Sequence, residues 1–102
     1  MKIRVYVVNS GEEKYAVASK SLYGINEVVV EPVPGGELWK RAKENLYLRE
    51  LPFFPNLNGE HVRVSVSGGN IRRPCVGENL ETKTGIIGKI ETIVEFSIES
   101  VL

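Results

Sequence analysis

The stretch MKIRVYVV at residues 1–8 alternates Ile3, Val5 and Val7 with Lys2, Arg4 and Tyr6. Such alternation predicts a β-strand with an apolar face turned inward and a polar face turned out. The longest strand pattern lies at the far end of the chain, IIGKIETIVEFSIESVL. There Ile90, Val94, Phe96 and Ile98 share one face with Thr92, while Glu91, Glu95 and Glu99 share the other with Ile93. The basic outer face of the first strand complements the acidic outer face of the last. Opposite charges across a strand pair contribute roughly 0.2–1 kcal/mol each. The two strands are therefore expected to be neighbours, and this long-range pairing is the strongest constraint on the fold.

Between them, NSGEE reads as a turn. KYAVASKSLYG reads as a second short strand antiparallel to the first, carried by Tyr15 and Val17. INEVVVEPV is a third strand. Pro32 and Pro34 belong at its end or on a sheet edge, since neither donates a ladder hydrogen bond. PGGELWKRAKENLYLRE is the one helical pattern, with Trp39, Ala42 and Leu46 at i, i+3 and i+7 and with Leu38 and Leu48 widening the stripe. Glu37 in its first turn and Arg49 near its last suit the helix dipole. Glu37 and Arg41 form a favourable i,i+4 pair, and Pro52 stops the helix. HVRVSVS is an alternating strand, with Val62, Val64 and Val66 on one face and His61, Arg63 and Ser65 on the other. Gly85 and Gly88 permit a bulge or bend near the start of the last strand.

The order is β-β-β-α-β-β. It predicts a single α+β domain over residues 1–102, a mostly antiparallel twisted sheet or small, partly open β-barrel with one amphipathic helix. A 42% apolar, 25% charged composition belongs to an ordinary soluble domain. The apolar run at Ile3–Val8 is too short for a signal-peptide core or a membrane span. With one cysteine, Cys75, no internal disulfide forms. A cytoplasmic protein with no membrane association is the expectation. Thirteen Glu with no Asp and no Gln point toward heat adaptation, against which stand seven Asn.

Charge is balanced overall, with 13 basic and 13 acidic residues, but not along the chain. Residues 1–75 carry eleven Lys and Arg against eight Glu, and residues 76–102 carry two Lys against five Glu. The acidic end is expected to neutralise part of the basic remainder from within. A neutral chain has only local patches with which to bind nucleic acid, because non-specific binding is mostly counterion release by a basic surface.

The chemistry open to these residues is narrow. One His, one Cys and no Asp exclude a structural zinc site within one chain, and no cofactor is expected. A Cys75 nucleophile with His61 as base requires hydrogen-bond reach and an orienting group. The glutamates of the last strand sit too far apart for a carboxylate pair. Gly35 and Gly36 precede a helix without any G-x-x-x-x-G-K-[ST] pattern, and Glu37 stands where a phosphate would sit.

Two stretches invite a binding role. LPFFP holds Phe53 and Phe54 between prolines; one is read as a lid on the core, the other as a candidate anchor at a protein interface. SGGNIRRPCVG carries Arg72 and Arg73 on a loop. With Arg63, Lys83 and Lys89 they form a candidate patch for phosphate-backbone contact, against the plainer reading of charges paired with Glu78 and Glu81.

The cadence of Gly59, Val62, Val64, Lys83, Gly85, Ile87 and Ile90 resembles that of SH3-like small β-barrels. The likeness spans residues 59–96 at most. It implies a barrel of the kind that several ribosomal and transcription-factor modules use on RNA and that some enzyme subunits use for assembly. The leading expectation is a non-catalytic binding or assembly module, a small subunit or homo-oligomer joined by protein–protein contact. The alternative is an RNA- or DNA-binding small β-barrel that uses Arg63, Arg72, Arg73, Lys83 and Lys89. A small hydrolase or nuclease using His61 ranks last.

Overall fold

A computed structural model describes residues 1–24 and 26–99. Ile25 and residues 100–102, which the third and last strand patterns include, lie outside the described residues. In chain order the elements are β1 (Lys2–Ser10), β2 (Glu13–Tyr23), β3 (Asn26–Val29), α1 (Glu37–Lys43), β4 (His61–Val62), β5 (Ser65–Ser67), β6 (Asn70–Arg72), β7 (Asn79–Thr82) and β8 (Gly85–Ser97). Six strands form one antiparallel sheet in the order β4-β3-β2-β1-β8-β7. The Arg63 amide donates to the Glu81 carbonyl at 2.8 Å, joining one edge of that sheet to the other. The result is a nearly closed small barrel with one short helix.

The expected partnership of the first and last strands is present. β1 and β8 pair antiparallel from Lys2↔Ser97 to Asn9↔Lys89. Arg4 stands opposite Glu95 in that register and meets it at 3.0 Å. The acidic end of the chain does neutralise part of the basic remainder: Glu78, Glu81, Glu91 and Glu95 pair with Arg72, Arg63, Lys14 and Arg4.

The central strands are buried on both faces, which one-sided alternation did not anticipate. Ile3, Val5 and Val7 pack with Ala16, Ala18, Leu38, Ala42 and Leu48 on the barrel's helix side. Tyr6 and Val8 pack with Val17, Val29, Leu57, Val62, Leu80 and Ile90 in its interior. Tyr6, expected to face solvent, is therefore fully buried. A curled sheet encloses its concave face, and the helix covers part of the convex one.

A register shift between Val7 and Val8 on β1 puts Val7 opposite Thr92 and Val8 opposite Ile90. This bulge separates Ile90 from the face it was expected to share with Val94, Phe96 and Ile98. Ile90 fills the interior, whereas the other three pack on the helix side. A second shift lies where Leu80 faces Gly88 and Glu81 faces Ile86, at the glycines that permitted a bend.

The helix is shorter than its pattern. It ends at Lys43, and Leu46, expected on its apolar stripe, is 79% exposed. The stop has a local cause. Asn45 Oδ1 accepts the Tyr47 amide at 2.8 Å, an Asx turn that competes with helical bonding. Lys43 Nζ donates to the Leu51 carbonyl at 2.8 Å, holding the turn that tucks Leu48 into the core.

HVRVSVS is likewise not one strand. It leaves the barrel after Val62 and re-forms as β5, which pairs only with β6. The single face expected to hold Val62, Val64 and Val66 is therefore broken up: Val62 is buried, Val64 half-buried and Val66 70% exposed. The order gains β6 and β7 from residues expected to form loop.

Gly88 permits the closest approach in the barrel. A Cβ there would lie 2.3 Å from the Asn9 carbonyl oxygen. Gly88→Ala is expected to lower stability by about 1–3 kcal/mol through forced backbone displacement, read from urea unfolding midpoints.

Candidate functional site

Polarity is graded along the barrel interior. Val8, Leu57, Leu80 and Ile90 fill one end. At the other, Glu27 projects inward from β3, its side chain only 3% exposed. Its position follows from register, since Glu27 and Val29 share the buried face of a four-residue strand. A buried carboxylate is tolerated only when paired and hydrogen-bonded. Tyr6 Oη donates to Glu27 Oε2 at 2.7 Å and Ser19 Oγ donates to the same oxygen at 3.1 Å. Arg73 Nε stands 2.9 Å from Glu27 Oε1, and Arg4 Nε 3.8 Å from it. Both contacts are ion pairs by distance, but neither Nε–H is aligned for a hydrogen bond.

Each guanidinium is oriented by other partners. Arg4 Nη2 donates to Glu95, and Arg73 Nη2 donates to the Gly24 carbonyl at 2.6 Å and to Ser21 Oγ at 3.0 Å. Arg73 thus ties the loop after β6 to the β2–β3 turn, across the barrel mouth. Its neighbour turns the other way. Arg72 makes a two-pronged pair with Glu78, both bonds 2.6 Å, and Glu78 Oε1 also accepts the Cys75 amide at 2.7 Å. The Arg72 hydrogen bonds, with that amide, pull the Glu78 carboxyl down to about 2. Glu78 therefore stays ionised through the ordinary carboxylate range, and the clamp is lost only as pH falls toward that value.

Both anchors lie at the C-terminal end of the β5–β6 hairpin. Gly68 and Gly69 have φ of 58° and 81°, the signature of the tight primed turn that matches strand twist. Val66 faces Ile71 across the hairpin, and the two are 70% and 54% exposed. From Val64 to Ile71 there is no charged residue.

The candidate patch residues are dispersed and mostly engaged. Arg63 pairs with Glu81 at 3.6 Å, Arg72 with Glu78 and Arg73 with Glu27. Lys83 lies in the β7–β8 turn, exposed. Lys89 stands opposite Asn9, five residues along β1 from Arg4 and so roughly 16 Å from the mouth. Phe53 and Phe54 are both half-buried. Phe53 stacks on Trp39 at 5.3 Å with Lys43 Nζ nearby, and Phe54 meets Tyr15 edge-on at 4.9 Å. Their backbone runs beside β2, with the Ala16 amide donating to Pro52 and the Phe54 amide to Ala16, each at 2.9 Å. His61 and Cys75 are exposed, and no hydrogen bond joins them among the described residues.

No protein-family model, curated protein or solved structure matches the chain. Function must be argued from these geometries. Among the described residues no cluster of His, Cys and Glu is placed to hold a metal ion. No helix among them is long and apolar enough to cross a membrane. Sequence reasoning missed Glu27, although a carboxylate on the same strand face as a buried valine is a visible signal.

Glu27→Ala strands two guanidinium groups beside a lost counter-charge. It is expected to destabilise the protein by about 3–5 kcal/mol, measured by chemical denaturation. Burial, then the adjacent Glu27 carboxylate, pushes the Tyr6 hydroxyl well above its ordinary range. The folded form thus keeps that proton to higher pH than the unfolded form. The Tyr6 contribution to stability is intact below about pH 10 and fades as pH rises beyond it. Tyr6→Phe is expected to lower neutral-pH stability by about 1–3 kcal/mol and to flatten this alkaline decline in unfolding curves collected from pH 8 to 12.

Proposed function

We propose that the chain is a non-catalytic assembly module that docks through the β5–β6 hairpin, and that its partner is a second copy of itself. The observation that carries this reading is the hairpin's exposed Val66–Ile71 pair on an uncharged segment, in a chain that is 25% charged elsewhere. Natural edge strands are guarded by charge, proline or a cover; this hairpin carries neither charge nor proline from Val64 to Ile71, and its one charge, Arg72 at the base, is engaged by Glu78. Three-residue strands in an isolated pair are barely stable in water. Burial of their apolar face in an interface compensates for that.

A second copy fits because the docking face is self-complementary. Placed across a two-fold axis, the same apolar pair meets itself with no charge to repel it. The chain's zero net charge adds no long-range repulsion between copies. The long strand β8 is less suited to pairing with another chain. β8 is an inner strand of the sheet, and beyond its β7 ladder it carries Glu91 and Glu95. Nucleic-acid binding by Arg63, Arg72 and Arg73 would first require separating them from Glu81, Glu78 and Glu27.

Sedimentation equilibrium is expected to show a concentration-dependent dimer that salt does not dissociate. Val66→Lys with Ile71→Lys is expected to weaken it at least tenfold, with thermal stability nearly unchanged because both side chains are exposed. A wild-type protein that stays monomeric at every concentration removes the reading. Co-sedimentation with RNA at low salt, lost at higher salt, replaces it with the nucleic-acid alternative.

A further inference from the structure

We propose that the polar mouth of the barrel is a binding site for a small phosphate group, held by Lys2, Arg4 and Arg73. A pocket of about 240 Å³ opens there, lined by these three side chains with Ser21, Glu27 and Glu95. Three cations face two carboxylates, so the pocket is electropositive. Glu27 accepts hydrogen bonds from Tyr6 and Ser19 through Oε2, and its charge is offset by the two arginines beside Oε1. The arginines are not saturated in return. Among the described residues, Arg4 donates only through Nη2 to Glu95, and Arg73 only through Nη2 to Ser21 and Gly24. Their Nη1 groups retain donors, and Lys2 makes no ion pair among those residues.

Neutralising one buried carboxylate requires one cation, and a second buried guanidinium adds desolvation cost without adding stability. Two forks held at a pocket wall with donors to spare are the arrangement that recognises a tetrahedral oxyanion bidentately. The rim lysine supplies a further point charge. A divalent metal ion is disfavoured by the same three cations. The proposal is independent of the hairpin interface, since none of the pocket's lining residues belongs to β5 or β6.

The test is an NMR titration of the ¹⁵N-labelled full chain with inorganic phosphate. Sodium chloride at matched ionic strength is the control, and methyl phosphate forms a second arm. Saturable shifts are expected in the Arg4 and Arg73 Nε–Hε signals and in the Lys2 amide. Lys2→Gln is expected to weaken binding about tenfold, the loss of one charge-assisted hydrogen bond. Glu95→Gln removes a competing carboxylate, frees Arg4 Nη2 and is expected to tighten binding several-fold. Both substituted side chains are exposed, and amide dispersion verifies that each variant is folded. Methyl phosphate binding as well as inorganic phosphate marks the ligand as a monoester; binding of inorganic phosphate alone marks it as the free ion. Shifts that chloride reproduces, or that do not saturate, overturn the site. So does a Glu95→Gln variant whose phosphate affinity is unchanged or reduced, as expected if the cluster serves packing alone.

Discussion

One buried carboxylate organises this barrel. Glu27 lies on a four-residue strand, too short to hold its place by ladder bonds alone. Its partners come from β1 through Tyr6 and Arg4, from β2 through Ser19, and from the loop after β6 through Arg73. A buried ion cluster of this kind seldom adds net stability over an apolar core of equal volume. Its effect is positional. It sets β3 against β1 through the body of β2, and it draws a distant loop onto the barrel mouth. The apolar residues at the opposite end exclude water from the interior without specifying which strand edge lies where.

The hairpin adjoins that cluster through Arg73, the residue that follows β6. Arg72 and Arg73 are adjacent, yet they serve opposite ends of the same loop. Arg73 reaches into the barrel, while Arg72 closes the turn from Arg73 to Glu78. β5 and β6 pair only with each other, as a two-stranded unit separate from the six-stranded sheet. The two arginines grouped in sequence as one candidate patch are each engaged by a glutamate, Arg72 by Glu78 and Arg73 by Glu27. The uncharged tip between Val64 and Ile71 is what remains for contact.

Much of the architecture was legible because it depends on period-two patterning and charge complementarity. The β1–β8 partnership followed from Arg4 and the glutamates of the last strand, and the bend near Gly85 and Gly88 followed from two glycines. Where reading failed, a tertiary effect overrode a local one. Tyr6 was assigned to solvent because alternation assumes one wet face, and closure of the sheet buries both. Leu46 was assigned to the helix because its spacing is right, but Asn45 and Lys43 turn the chain before it. HVRVSVS alternates as a strand should, yet alternation does not say when a strand leaves its sheet. Glu27 went unnoticed because its partners are separated from it by eight to forty-six residues, and only folding places them around it.

The same charge bookkeeping that explains the fold also narrows the functions. Four glutamates of the last twenty-seven residues meet basic partners from the first seventy-five, so internal pairing offsets part of the basic charge and the chain as a whole is neutral. Such a surface gives little long-range steering toward a polyanion. What it presents is short-range and local, an apolar hairpin face and a pocket lined by Lys2, Arg4 and Arg73. A face of the first kind selects partners by shape and burial and is insensitive to salt. A pocket of the second kind selects by donor geometry within a recess too small for a polymer strand to enter. The two surfaces therefore operate on different chemistry, one on burial of apolar side chains and the other on charge-assisted hydrogen bonds to an anion.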